Sequence, residues 1–132
     1  MRILRFMSKA EAMMLSCGKT LVNKVDYSRS NKSTSKGFCF WIGDDPKEAL
    51  LYLGGIVNEE ICVVFEADAD LFRHSRGVYA DPFGDWFDTV TKEELCITSY
   101  NRKSVRPVMA YLPTMDGLEW ERFSFNRAVF LL

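Results

Sequence analysis

Apolar and polar positions in this chain change over in short blocks, and no single long period runs through it. Residues 2–7 set Ile3, Leu4, Phe6 and Met7 around Arg5, the pattern of a short strand. Ser8 and Glu11 follow at the three-residue spacing of a capping box, in which a hydroxyl and an acid satisfy the first backbone N–H groups of a helix. That helix carries Ala10, Met13, Met14 and Cys17 at helical spacing, which makes them its expected buried face, and Gly18 closes it. Gly37–Ile42 is apolar on both faces and is expected to be a central strand. Asp45-Pro46-Lys47-Glu48 then supplies an N-cap, a proline at the first helical position and an early acid. The second helix is expected to bury Ala49, Leu50, Tyr52 and Leu53 and to end at Gly54-Gly55.

Strands dominate the remainder. Residues 61–66 are rich in β-branched side chains. A turn or short helix is expected over 68–76, a short strand over 77–80, and a strand over 95–100 entered from an acidic turn. Residues 105–112 form another strand, where Pro107 implies an edge or a bulge. Met115-Asp116-Gly117-Leu118 signals a hairpin turn, and 123–132 a final strand. Two helices in the first half, packed on a largely antiparallel sheet that could be split in two, define an α+β fold. No repeat or linker divides the chain, and 132 residues suit one domain spanning 1–132.

Composition narrows the class. Aromatic residues make up 14% of the chain and hydrophobic residues 48%, enough to build a core, so disorder is not expected. No apolar run approaches the roughly 20 residues a spanning helix needs, and residues 1–6 lack a signal-peptide core, so no membrane partner and a cytoplasmic location, in the cell of origin or an infected host, are expected. None of the four cysteines stands in a C-x-x-C spacing; Cys39, Cys62 and Cys96 lie in apolar runs and are expected to be buried thiols, leaving Cys17 reactive. With one histidine, His74, no metal site is expected.

A net charge of −1 disfavours general nucleic-acid binding. Between Lys19 and Lys36 five basic residues face one acid, whereas Glu59 to Asp70 holds five acids and no Lys or Arg. The polar stretch 23–36 is long for a connection without structure and is expected to be mobile or functional. The loop 81–88 holds Phe83, Trp86 and Phe87, which either fold back on the core or form a contact surface.

Phosphate-loop, dinucleotide-fingerprint, zinc-protease and nucleophile-elbow motifs are all missing from the sequence. Three features bear on chemistry. Arg5 is a cation inside an apolar strand; it either points outward from an edge or faces a cleft, where its fork could hold a phosphate. Ser33-Thr34-Ser35 immediately precedes the apolar strand at 37–42. Lys92-Glu93-Glu94 leads into Leu95-Cys96-Ile97, where a carboxylate could be held over a cleft or simply be solvated.

Taken in order, a first-strand arginine, Ser-Thr-Ser opening a strand after one helix, and a glutamate before a later strand resemble the Arg-Ser-Glu class of ADP-ribosyltransferases. The likeness covers residues 2–100. It implies that Arg5 with Ser33, Thr34 and Ser35 binds NAD, used as substrate, and that Glu94 is catalytic. Phe38 or Phe40 would stack on nicotinamide, and the basic loop would help Arg5 receive the pyrophosphate. Where the family carries Glu or Gln two residues before its catalytic Glu, this chain has Lys92. The resemblance therefore implies either a small transferase that modifies a macromolecular target, such as a toxin-like effector or a phage anti-defence protein, or a non-enzymatic protein-binding inhibitor or adaptor on a degenerate scaffold.

Overall fold

The computed structural model describes residues 1–19, 21, 25–26, 36–53, 60–80, 86–97 and 100–132, with 25–26, 36–37, 39, 52–53, 69, 73–80 and 86–96 described by their backbone alone. The strands are β1 (Arg2–Met7), β2 (Val25–Asp26), β3 (Lys36–Ile42), β4 (Ile61–Ala67), β5 (Arg73–Ala80), β6 (Trp86–Ile97), β7 (Val105–Pro113) and β8 (Trp120–Ser124). The helices are α1 (Lys9–Ser16), α2 (Pro46–Leu53) and α3 (Phe125–Leu131), and a single 3-10 turn covers Ala69–Leu71. Seven strands lie side by side in the order β5-β6-β3-β1-β4-β7-β8, with β2 paired to β3 off this path, and each pairing is antiparallel.

The fold is the α+β arrangement expected, with one helix more. Residues 123–132 do not form a final strand: β8 ends at Ser124, whose hydroxyl accepts from Arg127 N–H, and α3 begins. The reason is local. Ser124 caps the turn, and Phe125 and Ala128, one helical turn apart, are the residues α3 buries.

Alternation along β1 divides the core. On one face Ile3, Val63 and Phe65 meet Phe38 and Phe40, and this layer is covered by Ala12 and Leu15 of α1 and Phe125 and Ala128 of α3. On the other face Leu4, Phe6, Trp41, Cys62 and Val64 pack with Ala49 of α2. Phe40 meets Phe65 edge-on at 5.3 Å between ring centres, a geometry that contributes about 0.5–1.5 kcal/mol beyond burial.

The buried face of α1 is not the expected one. Glu11, Ala12 and Leu15 are inside, while Ala10 and Cys17 are exposed and Met13 is 48% exposed. The hydroxyl half of the expected capping box forms, with Ser8 Oγ accepting from Glu11 N–H, and Gly18 adopts φ 80 just past the helix. At α2, Asp45 accepts from Lys47 N–H and Ala49 is buried, whereas Leu50 is half-buried; the side chains of Tyr52 and Leu53 and the pair Gly54-Gly55 lie outside the described residues.

Two bulges shape the sheet. Val64 faces Met109 and Phe65 faces Pro107, so Val108 is the extra residue of β7. Pro107 has no N–H to give to a ladder, and the shift accommodates it inside the sheet rather than at an edge. On β6, His74 faces Leu95 and Ser75 faces Thr91, so Lys92, Glu93 and Glu94 are surplus against β5. The acidic stretch expected as a turn is thus a bulge within one long strand. β5 likewise begins at Arg73, earlier than expected.

Candidate functional site

Arg5 sits in the middle of β1, opposite Val63 of β4, on the face covered by α1 and α3. It is 7% exposed. A charge at that depth needs a counter-charge, since an uncompensated buried ion costs several kcal/mol. Glu11, 1% exposed, supplies it: Arg5 Nη2 donates to Glu11 Oε1 at 3.0 Å. The guanidinium carbon lies 5.8 Å from the ring centre of Phe38 and 5.9 Å from that of Phe40, within the range of cation–π attraction.

Local sequence explains why these groups meet. Ser8 stops β1 and caps α1, and the capped turn brings its third residue, Glu11, back over the strand that has just ended. Alternation on β1 puts Arg5 in phase with Ile3, under the helix. Glu11 was not singled out in the sequence as a site residue. Its signal was available: it stands next to Ala12 and one turn before Leu15, where an amphipathic helix turns its apolar side.

The other candidates are distributed as follows. Phe38 and Phe40 are buried on β3, flanking Arg5, and Phe40 also packs edge-on against Phe72. Ser33, Thr34 and Ser35 lie outside the described residues, directly before Lys36, where β3 starts. Backbone position 94 pairs with Trp41, and Trp41 pairs with Leu4. Directly opposed residues share a face, so position 94 is in phase with Leu4 and Trp41 and out of phase with Arg5. Position 95 pairs with Phe40, in the Arg5 phase. The strand of position 94, the strand that follows Ser33–Ser35 and the strand of Arg5 are nevertheless neighbours, in the order β6-β3-β1.

Among the described residues, two recesses open elsewhere. One, of about 370 Å³, is lined by Asp44, Asp45, Lys47, Tyr111, Glu119 and Trp120, where the Lys47 ammonium bridges to Glu119 at 2.7 Å. Burial, with Asp44 next in weight, raises the Tyr111 phenol above its ordinary range. The other, of about 410 Å³, is lined by Glu66, Asp68, Leu71, Lys103, Ser104 and Arg106. Glu66 is held below the usual carboxylate range, chiefly by its hydrogen bond from the Met1 ammonium. Arg5 lines neither recess. Among the described residues no group of three His, Cys, Asp or Glu side chains could hold a metal ion, and no helix is long and apolar enough to cross a membrane.

No family model matches the chain, nor does any curated protein or solved structure.

Proposed function

We propose that this chain is a small ADP-ribosyltransferase-like protein that takes NAD on the β1–β3–β6 strands and acts on a macromolecular target in the cytoplasm. The observation that supports this is strand adjacency. Arg5, the Ser33–Ser35 segment and Glu94 are far apart in sequence, yet they belong to or directly precede three consecutive strands of the sheet. In this reading Arg5 receives the pyrophosphate, and a β6 carboxylate stabilises the cationic ribose as the nicotinamide bond loosens.

A second reading, a protein-binding inhibitor or adaptor on a degenerate scaffold, is favoured by a different observation. Arg5 is already engaged by Glu11, and position 94 is out of phase with Arg5.

One set of measurements separates the two. NAD is titrated into the wild type and Arg5→Ala by calorimetry, and ADP-ribose transfer is followed with labelled NAD for Glu93→Gln and Glu94→Gln. The transferase reading expects binding that Arg5→Ala abolishes, and transfer that one of the two glutamine variants abolishes while its NAD binding survives. NAD at 100 times its Kd should add about 2.7 kcal/mol of stability. Folded wild type that neither gains stability from NAD nor consumes it leaves the binding-protein reading.

A further inference from the structure

Among the described residues the Arg5–Glu11 ion pair has both side chains buried, and it lies where the proposed function puts an anion. We infer that Glu11 is an internal counter-anion that keeps the Arg5 site closed, so that the anionic oxygens of a pyrophosphate-bearing ligand bind by displacing it. The inference rests on the NAD reading above and adds a regulatory contact to it.

Three observations carry it. The first is identity of chemistry: Glu11 Oε1 accepts from Arg5 Nη2 at 3.0 Å, the kind of bond a phosphate oxygen makes to a guanidinium. The second is location. Glu11 is the third residue of α1, and Ser8 Oγ anchors its backbone N–H, so the carboxylate is delivered by a helix start, not by the sheet. A change in that single turn can withdraw the carboxylate while β1 stays paired along its whole length with β4. The third is charge. With both side chains buried, a dianionic ligand and the Glu11 carboxylate would share one cation in a poorly screened setting, and like charges there repel strongly. The ligand and the carboxylate therefore compete, and the protein's own acid sets the threshold for binding.

The consequence is opposite to that of an ordinary supporting contact. If Glu11 merely oriented Arg5, neutralising it would weaken the ligand. As a competitor, its neutralisation tightens the ligand. Glu11→Gln keeps the shape and a hydrogen-bonding oxygen but removes the charge. Calorimetric titration with NAD, and separately with inorganic pyrophosphate, is expected to show affinity rising on the order of tenfold, a usual size for coupling between two sites. Glu11→Met, of similar length, should do the same. Ser8→Ala loosens the same helix start without changing charge and should raise affinity in the same direction, which keeps the test usable if the charge-removing variants fold poorly.

Unchanged or weaker binding in folded Glu11→Gln, with a wild type whose NAD binding Arg5→Ala abolishes, overturns the inference and leaves the NAD reading standing. Absence of binding of NAD and pyrophosphate in the wild type and both Glu11 variants overturns both. Binding that appears only once Glu11 is neutralised is the clearest support, since it shows the site and its closure together.

Discussion

Glu11 Oε1 and Arg5 Nη2 stand 3.0 Å apart, six residues apart in sequence, with both side chains buried. Such a pair is costly to break from one side and tolerant of replacement from both, because the penalty lies in the charge left behind. Glu11→Ala is expected to lower stability by about 3 kcal/mol or more, and Arg5→Met with Glu11→Leu together to recover most of that loss. Urea unfolding at neutral pH measures both. A double variant no better than Glu11→Ala would mean that the pair holds the fold by specific geometry.

Alkaline pH probes a different group. Burial pushes the Tyr100 phenol up to about 12, and its hydroxyl donates to Val105 O at 2.7 Å. The folded value exceeds the unfolded one near 10. The folded state therefore keeps a proton that the unfolded state gives up. This contribution is complete below pH 10 and is lost as pH rises through the window from 10 to about 12. Tyr100→Phe should flatten the alkaline fall in stability, and equal slopes in wild type and variant between pH 9 and 11, windows set by these ordinary values, would dismiss the idea.

Thiol labelling should separate two cysteines. Cys17 is exposed, whereas burial first, and the Asp45 charge second, raise the Cys62 thiol well above its ordinary value. The thiolate is the reactive form. Peptide mapping after brief alkylation of native protein is expected to find Cys17 modified and Cys62 untouched, with Cys62 reacting once the chain is unfolded. Early labelling of Cys62 would contradict the packing of β4.

The β7–β8 hairpin depends on one backbone angle. Gly117 adopts φ 74, and nothing lies within 4 Å of where a Cβ would be added. The cost of Gly117→Ala is therefore conformational and not steric, about 1 kcal/mol. Gly117→Asn should cost less, because asparagine tolerates that region. Thermal unfolding of the two variants checks the order.

Much of the fold was legible in the residues because local signals agreed with tertiary packing. Ser8, Gly18 and Asp45 act where capping chemistry says they should, and Pro107 marks a real bulge. The misreadings have physical causes. The inner face of α1 holds a glutamate, so apolar spacing alone points to Met13 and Cys17 instead. Residues 123–132 are apolar enough for a strand, but Ser124 starts a helix whose Phe125 and Ala128 pack against α1 and β7. At the candidate site, Arg5 was visible as a cation in an apolar strand. Its partner was hidden because Glu11 had a sufficient local role in the helix cap. The phase of position 94 depends on the register of β6 against β3, which no local pattern encodes.

β1 lies inside the sheet, between β3 and β4, with Met7 opposite Ile61 and Arg2 opposite Glu66. During synthesis the ribosome releases this strand before either of its neighbours exists. Ile3 and Leu4 have no strand to pair with until Trp41 and Ile42 of β3 emerge, and β1 is paired along its whole length only once β4, beyond residue 60, follows. Pairings of such long sequence separation close slowly. Until α1 forms, the nascent chain carries an uncovered strand and a guanidinium whose counter-charge is not yet in place. The first local relief comes from α1, whose Glu11 can reach Arg5 as soon as one helical turn has formed.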